Sequence, residues 1–534
     1  MSVRNAIVLL LALSTLALLA ACGGYSAPKV VPPPSGGFHN GNLSGTYVFS
    51  STGSDVNNAF ITVVGDFVAN GSGSITGGAI DVADGTSGVS ANNTITGGSY
   101  HVGVDGRGQA TLNSANGSIV LDFVLTSSTH GLVTEFDNNG TGSGTLDLQP
   151  AAVAQTALTG LTFAFSGVGL TAPYATAGTV TLDASGNVTA GFEDFNNGGS
   201  PTTDVAVSTS SFVTLGNGTA PGTAQLITSV GTFAFDVYAV DSTHLKFIET
   251  DNNFLLSGDA FAPGTTLPVS SNLVFTLAGL DTSALPTALG GTLPLDANSN
   301  IAAGVEDFND DGIVGQSTAV AGGFSAISGG RSVLTLSSFV NGAANELPGT
   351  YTFAAYPFVS NGVNGIELLE IDSTVANGVT QGAAYVQTST AVASGQGYGL
   401  NVSAINFPGG NFAAPFEEDD IAEFVTTSNS FSGLVDINDK GSLSNPQTFT
   451  GSYSAPDSTG RGTATTTEHG NNFISYTFYV VDGSTQLFIE TDSNQIGLGV
   501  IELQTASGIP GVAKPAFSMV HPVVAPHAGF RSKQ

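Results

Sequence analysis

The chain has 534 residues, with 41 Asp and Glu against 10 Lys and Arg for a formal net charge of −31, 71 glycines, one cysteine and no tryptophan. A field of that sign repels phosphate backbones and excludes nucleic acid as a partner, and a lone cysteine excludes an internal disulfide, so the fold must hold by burial and hydrogen bonding. The length exceeds what one hydrophobic core supports, which excludes a single small domain.

Residues 1–21 carry Arg4, an apolar run from Ala6 to Leu13 continued to Ala21, and small residues before Cys22. That pattern reads as a signal peptide; its removal takes Arg4 away and the net charge from −31 to −32. The run Leu19-Ala20-Ala21-Cys22 resembles the lipobox of bacterial lipoproteins, with Leu at −3, small residues at −2 and −1, and the sole thiol at the acylated position. The resemblance implies diacylglyceryl and acyl attachment at Cys22, hence a membrane partner through the N-terminal lipid. Gly23 stands where an inner-membrane retention signal usually has Asp, so the implied location is the outer membrane or cell surface. Residues 22–42, with Pro28, Pro32, Pro33, Pro34 and a Gly-Gly pair, read as an extended lipid-anchored tether.

From 43 to 150 the chain divides into about eight apolar, alternating runs separated by Gly, Asn and Asp turns, the pattern of short antiparallel strands with hairpin links. The same landmarks recur. Gly178–Gly191 and Gly291–Gly304 match Gly65–Gly78, and a later strand recurs as Phe233–Val240, Tyr351–Phe358 and Phe473–Val480. Glu135, Glu249, Glu370 and Glu490 stand 114, 121 and 120 residues apart in near-copies such as Phe247-Ile248-Glu249-Thr250-Asp251 and Phe488-Ile489-Glu490-Thr491-Asp492. The fold class expected is therefore all-β: about four tandem antiparallel meander modules, at 43–150, 158–265, 271–388 and 396–504, each a small eight-stranded barrel or, as the alternative, a β-sandwich. Residues 505–534, with four prolines and three bases, read as a disordered tail.

Residues two apart on a strand share a face, so Glu135 and Asp137, Glu249 and Asp251, Glu370 and Asp372, and Glu490 and Asp492 each follow an apolar residue on one side. Between residues 41 and 504 there are five bases, and Arg107, Arg331 and Arg461 occupy one repeat position just before an alternating strand. We expect each Arg to form a structural ion pair with the Glu or Asp of its own module: Arg107 with Glu135 or Asp137, Arg331 with Glu370 or Asp372, Arg461 with Glu490 or Asp492. The second module lacks the Arg, with Lys246 as a partial substitute.

Asp307-Phe308-Asn309-Asp310-Asp311-Gly312 is echoed at Asp194-Phe195-Asn196 and Asp436-Ile437-Asn438. It resembles the first half of a calcium loop, which would make Asp307, Asn309 and Asp311 weak Ca²⁺ ligands, yet Asp, Asn and Gly are equally the residues of a β-turn. The twelfth position is Thr318 instead of Glu. No other cofactor is expected, because the seven His residues lack metal-ligand spacing and no nucleophile elbow or phosphate loop occurs.

The function expected is non-enzymatic: a surface lipoprotein presenting repeated β modules for adhesion or for contact with an envelope protein or extracellular glycan. A barrel that carries a small apolar ligand is the alternative, and a glycan-acting hydrolase using paired carboxylates is the third reading.

Overall fold

In the computed structural model the described residues are 37–170, 172–216, 220–281, 285–338, 349–372, 379–407, 415–468 and 472–506. Residues 1–21, Cys22, most of the tether and the tail after 506 lie outside them. Apart from two short 3₁₀ turns, the regular elements are antiparallel strands.

Meander links allow a sheet to curl until its first strand meets its last, and that is what settles barrel against sandwich. In the first repeat, Ser44–Asp55 pairs with Gly140–Gln149 from Thr46↔Gln149 to Asp55↔Gly140. The corresponding closures are Leu255↔Val168 to Phe261↔Thr162, Leu273↔Val386 to Leu280↔Val379, and Tyr398↔Leu503 to Asn406↔Gln495. The ladders form three closed sheets, and the middle one holds two closures stitched by Ala262↔Val359 and Pro263↔Phe358. Four eight-stranded barrels result, the second with its fourth strand broken into Ser200–Ala206 and Phe212–Thr214.

Each barrel has its own core, as in Phe165, Phe235 and Phe247 of the second, whose ring centroids lie 4.8 and 5.1 Å from that of Phe165. Eight strands enclose just enough room for inward side chains to fill. The fourth barrel retains an apolar cavity of only about 40 Å³ between Tyr398, Phe424, Phe449 and Phe478.

The barrels do not hang as beads. The first three strands of each pack on the sixth to eighth strands of the next, and those of the fourth pack on the sixth to eighth of the first. Four head-to-tail contacts of one kind thus close a ring, as heterologous interfaces do when the rotation between copies completes a turn. Seam strands are consequently covered on both faces: every residue of Gly160–Val168 is buried, whereas Gly88–Val102, the fourth strand of the first barrel, keeps most of one face in solvent. This is why a chain with only 10% charged residues suffices, and why period-2 polarity is weak in seam strands such as Gly160–Val168. Apolar clusters fill the seams, such as Val64 and Ala79 with Tyr238 and Ile248 between barrels one and two, and Ala278 and Ala288 with Ile489 and Leu498 between three and four. The path into the ring at Phe38 and out at Ala506 runs through one core, with Gln504 Nε2 donating to the Asp105 and Leu125 carbonyls at 2.8 and 3.0 Å.

Candidate functional site

The residues that recur in sequence assemble at the seams. The third strands, Ser74–Asp84, Val188–Asn197, Asn300–Asp310 and Ser430–Asp439, carry Asp81, Asp194, Asp307 and Asp436 at one repeat position. Arg331 Nε and Nη2 donate to Asp194 at 2.6 and 3.0 Å, and Arg461 Nε and Nη2 donate to Asp307 at 2.7 and 2.6 Å. Tyr356 Oη also donates to Asp194, and Tyr479 Oη to Asp307 at 2.5 Å. Arg107 reaches Asp436 of the fourth barrel at 2.9 Å and Asp105 of its own at 3.0 Å. Close approach of the two backbones is needed here: a Cβ on Gly290 would stand 2.7 Å from the Tyr479 ring, whose hydroxyl donates to the Gly290 carbonyl at 3.0 Å.

The three arginines therefore pair across seams and not with Glu135, Asp137, Glu370, Asp372, Glu490 or Asp492 of their own barrels. The physical reason lies in where those acids point. Glu135, Glu249, Glu370 and Glu490 share the inward face of the seventh strand with Val133, Phe247, Leu368 and Phe488, while Arg107, Arg331 and Arg461 precede or begin fifth strands on the outward face, beside the sixth-strand residue that faces the neighbour. None of the four Glu makes an ion pair among the described residues. Burial, then repulsion by the following Asp, pushes the carboxyl of Glu135 up to about 8 and that of Glu249 up to about 10. Burial likewise pushes Glu370 up to about 8, Thr380 and Asp372 acting in opposite senses, and burial with Asp492 raises Glu490 far above the ordinary range.

The calcium-like stretch is also spent on a seam. Asp307 gives both carboxylate oxygens to Arg461 and Tyr479, and Asn309 Nδ2 donates to the carbonyls of Glu490, Asp492 and Gln495 at 3.1, 2.8 and 2.8 Å. Asn196 and Asn438 do the same to Glu370 and Glu135 at 3.0 and 2.7 Å. Asp311 and Gly312, with φ of 51° and 77°, form the two-residue turn to the next strand, as Lys440 and Gly441 do at 48° and 85°. Asp307 and Asn309 thus spend their side-chain donors and acceptors across the seam, and among the described residues no group of three or more His, Cys, Asp or Glu is placed to hold a metal ion.

At the ring axis the position three residues before each recurrent Glu is Leu132, Lys246, Glu367 and Leu487, all buried. Lys246 does not reach Glu249 or Asp251. Its Nζ lies 3.2 Å from Asp259, 3.6 Å from Asp147 of the first barrel and 2.8 Å from Thr145 Oγ1. His130 lies 2.7 Å from Asp147 and 3.1 Å from Glu502 of the fourth barrel, and His244 lies 2.6 Å from Asp259. Burial works against charge on His130, but Glu502 and Asp147 hold it up to about 10; burial likewise raises Asp147, yet His130 and Lys246 hold it well below the usual carboxylate range. Glu367 of the third barrel, pushed up to about 8 by burial and by Asp259, completes a polar centre to which all four barrels contribute. Beside it a chamber of about 420 Å³ opens between barrels one, three and four, lined by His130, Asn361, Asn364, Asp482 and Glu502 among others.

Sequence reading had not marked Tyr238, Tyr356, Tyr479, His130, Asp147 or Asp259. The shared Ser-Thr-His before Gly131 and before Leu245 was the available signal for the axis.

The geometry defines an all-β protein of four eight-stranded barrels closed into a ring by seams that each hold a buried Asp, met by Arg and Tyr in two of them, by Arg in a third and by Tyr in the fourth. No family model matches the chain, and no curated protein does. Among solved structures, the vaccine antigen transferrin-binding protein B from Haemophilus parasuis Hp5 is similar as a double mutant, 8% identical over 70% of this chain and 83% of that one with a TM-score of 0.21. A single mutant of the same antigen is 11% identical over the same shares, with a TM-score of 0.20. The translocation pore of the P pilus usher is 8% identical over 86% of this chain and 98% of that one, with a TM-score of 0.12. TM-scores this low establish no shared fold.

Proposed function

We propose that the protein is an exported, lipid-anchored envelope component that acts by binding and not by catalysis, its ring serving as a rigid platform for contact with an envelope protein or extracellular glycan. The observation that supports this most is the use made of the repeated polar groups: the Asp, Arg, Tyr and Asn side chains that recur hold barrel to barrel, and the barrel interiors are filled. The fourth barrel's cavity of about 40 Å³ is far below the ~300 Å³ at which ligand pockets begin, which weighs against a carrier with one ligand per barrel; the chamber of about 420 Å³ lies between barrels and not inside one. The surfaces available for contact are the outer rim, formed by the fourth and fifth strands with their hairpins, and the mouth of the chamber between barrels one, three and four. The entry and exit of the ring at one place suit a tether that lifts the whole body off a membrane.

Two measurements test the reading. Labelled palmitate should enter the full-length protein in its bacterial host and not the Cys22→Ser variant; equal labelling would remove the anchor. A soluble form beginning at residue 37 should bind isolated cell envelopes or arrayed glycans and release no sugar product. Steady release of product would make it an enzyme.

A further inference from the structure

The four seams are built alike, and one lacks its cation. In the seam between barrels four and one, Glu423 and Asp436 face Asp122, Asp105 and Arg107. Register places Asp66 and Asp81 of the first barrel where Glu423 and Asp436 stand in the fourth, and a repeat offset of 114 places Asp236 and Pro221 of the second barrel where Asp122 and Arg107 stand in the first. The acids of the first seam are thus kept while the guanidinium is replaced by a proline.

Two further observations mark the gap. Asp81 is 1% exposed and accepts from Tyr238 Oη at 2.7 Å, while Asp236, 5% exposed, is hydrogen-bonded carboxyl to carboxyl with Asp81, as two acids are where no cation separates them. A cavity of about 40 Å³ is lined by Asp66, Gln149, Pro221, Gly222 and Tyr238, so it lies against the residue that stands in place of arginine and the tyrosine that donates to Asp81. That volume holds two or three waters, comparable to one planar guanidinium. Burial, with Tyr238 and Asn92 opposing it and Asp236 reinforcing it, pushes the Asp81 carboxyl up to about 7.

We propose that the seam between the first and second barrels is a binding site for a guanidinium group supplied from outside the chain, which completes the ring as Arg331, Arg461 and Arg107 complete the other seams. A forked, planar donor suits a carboxylate held beside a tyrosine hydroxyl, whereas an ammonium presents a single point of charge. Among the described residues no group of three or more His, Cys, Asp or Glu is placed to hold a metal ion, which favours an organic cation at this seam.

The test follows thermal unfolding of the full chain in agmatine, in a blocked Gly-Arg-Gly peptide and in butylamine at matched ionic strength. Agmatine should raise the midpoint saturably, by about 2 °C or more, and butylamine should not. A rise with the peptide as well assigns the site to arginine side chains of a partner; a rise with agmatine alone assigns it to small alkylguanidines. Pro221→Arg should start from a higher midpoint than wild type and lose the agmatine response. An equal response in Pro221→Arg, an equal effect of butylamine, or a flat or steadily falling wild-type midpoint would each overturn the proposal.

Discussion

Arg461→Met should lower the free energy of unfolding by about 3–5 kcal/mol, the cost of removing one partner from a buried ion pair. Asp307 is fully buried and receives two of its hydrogen bonds from Arg461, so the substitution leaves a carboxylate that water does not reach, with Tyr479 Oη and the Ser317 amide as its remaining donors and no counter-charge. Methionine fills the stem's volume, which isolates the lost charge and donors from a packing defect. A double-mutant cycle says which acid the arginine serves: adding Asp307→Asn should recover part of the loss, while adding Glu490→Gln should behave additively. Arg107→Met should cost less, because Asp436 takes a single bond from it and is 7% exposed. Unchanged denaturant unfolding of Arg461→Met would mean that the seam pair contributes nothing.

The unfolding midpoint should rise as pH falls from 8 to about 5, against the usual acid lability. Burial pushes the carboxyls of Glu135, Glu193, Glu367, Glu370, Glu417 and Glu423 up to about 8, above an unfolded value of about 4.3. Each therefore adds stability that is fully present below the unfolded value and is lost as pH climbs through 8. His130 acts in the same direction, its contribution being present below about 6.5 and lost toward 10. Asp147 and Asp259, held low by His130 and by Lys246 despite burial, act oppositely, and their contribution fades only as pH drops below about 4. Self-repulsion at a net charge of −31 is also relieved by mild acid. Thermal scans at pH 5.5 and 8.0 and constant ionic strength should differ by several degrees in favour of 5.5; an equal or lower midpoint at 5.5 would show that these carboxyls are not shut away from solvent and counter-charge.

Much of the fold was legible because turns and repeats are local signals. Gly, Asn and Asp at hairpins and the returning Glu position fix where strands start and how many times the unit is copied, and the recurrent Glu indeed falls on the seventh strand of every barrel. Closure into barrels over sandwiches was not separable by pattern, since both bury alternate residues. The ring was invisible for a stronger reason: four copies of Asp and three of Arg state that a pair exists, but identical repeats carry no mark of whether the pair lies within one module or between two. Asp194 and Arg331 illustrate this, because their partnership spans 137 residues and leaves Glu370 with no ion pair among the described residues. The hydroxyls of Tyr356 and Tyr479 gave no signal at all, since tyrosine on an alternating strand reads as core.

Repetition thereby acquires a different meaning from the avidity of independent binding modules. A tandem array whose copies attract each other head to tail and whose turn closes at four uses its recurring residues to become one body. Small-angle X-ray scattering on a form covering residues 37–506 measures this directly. The closed ring predicts a radius of gyration of about 23 Å, that of a single compact body of this length; a value above about 30 Å, that of four barrels strung out in line, would contradict it.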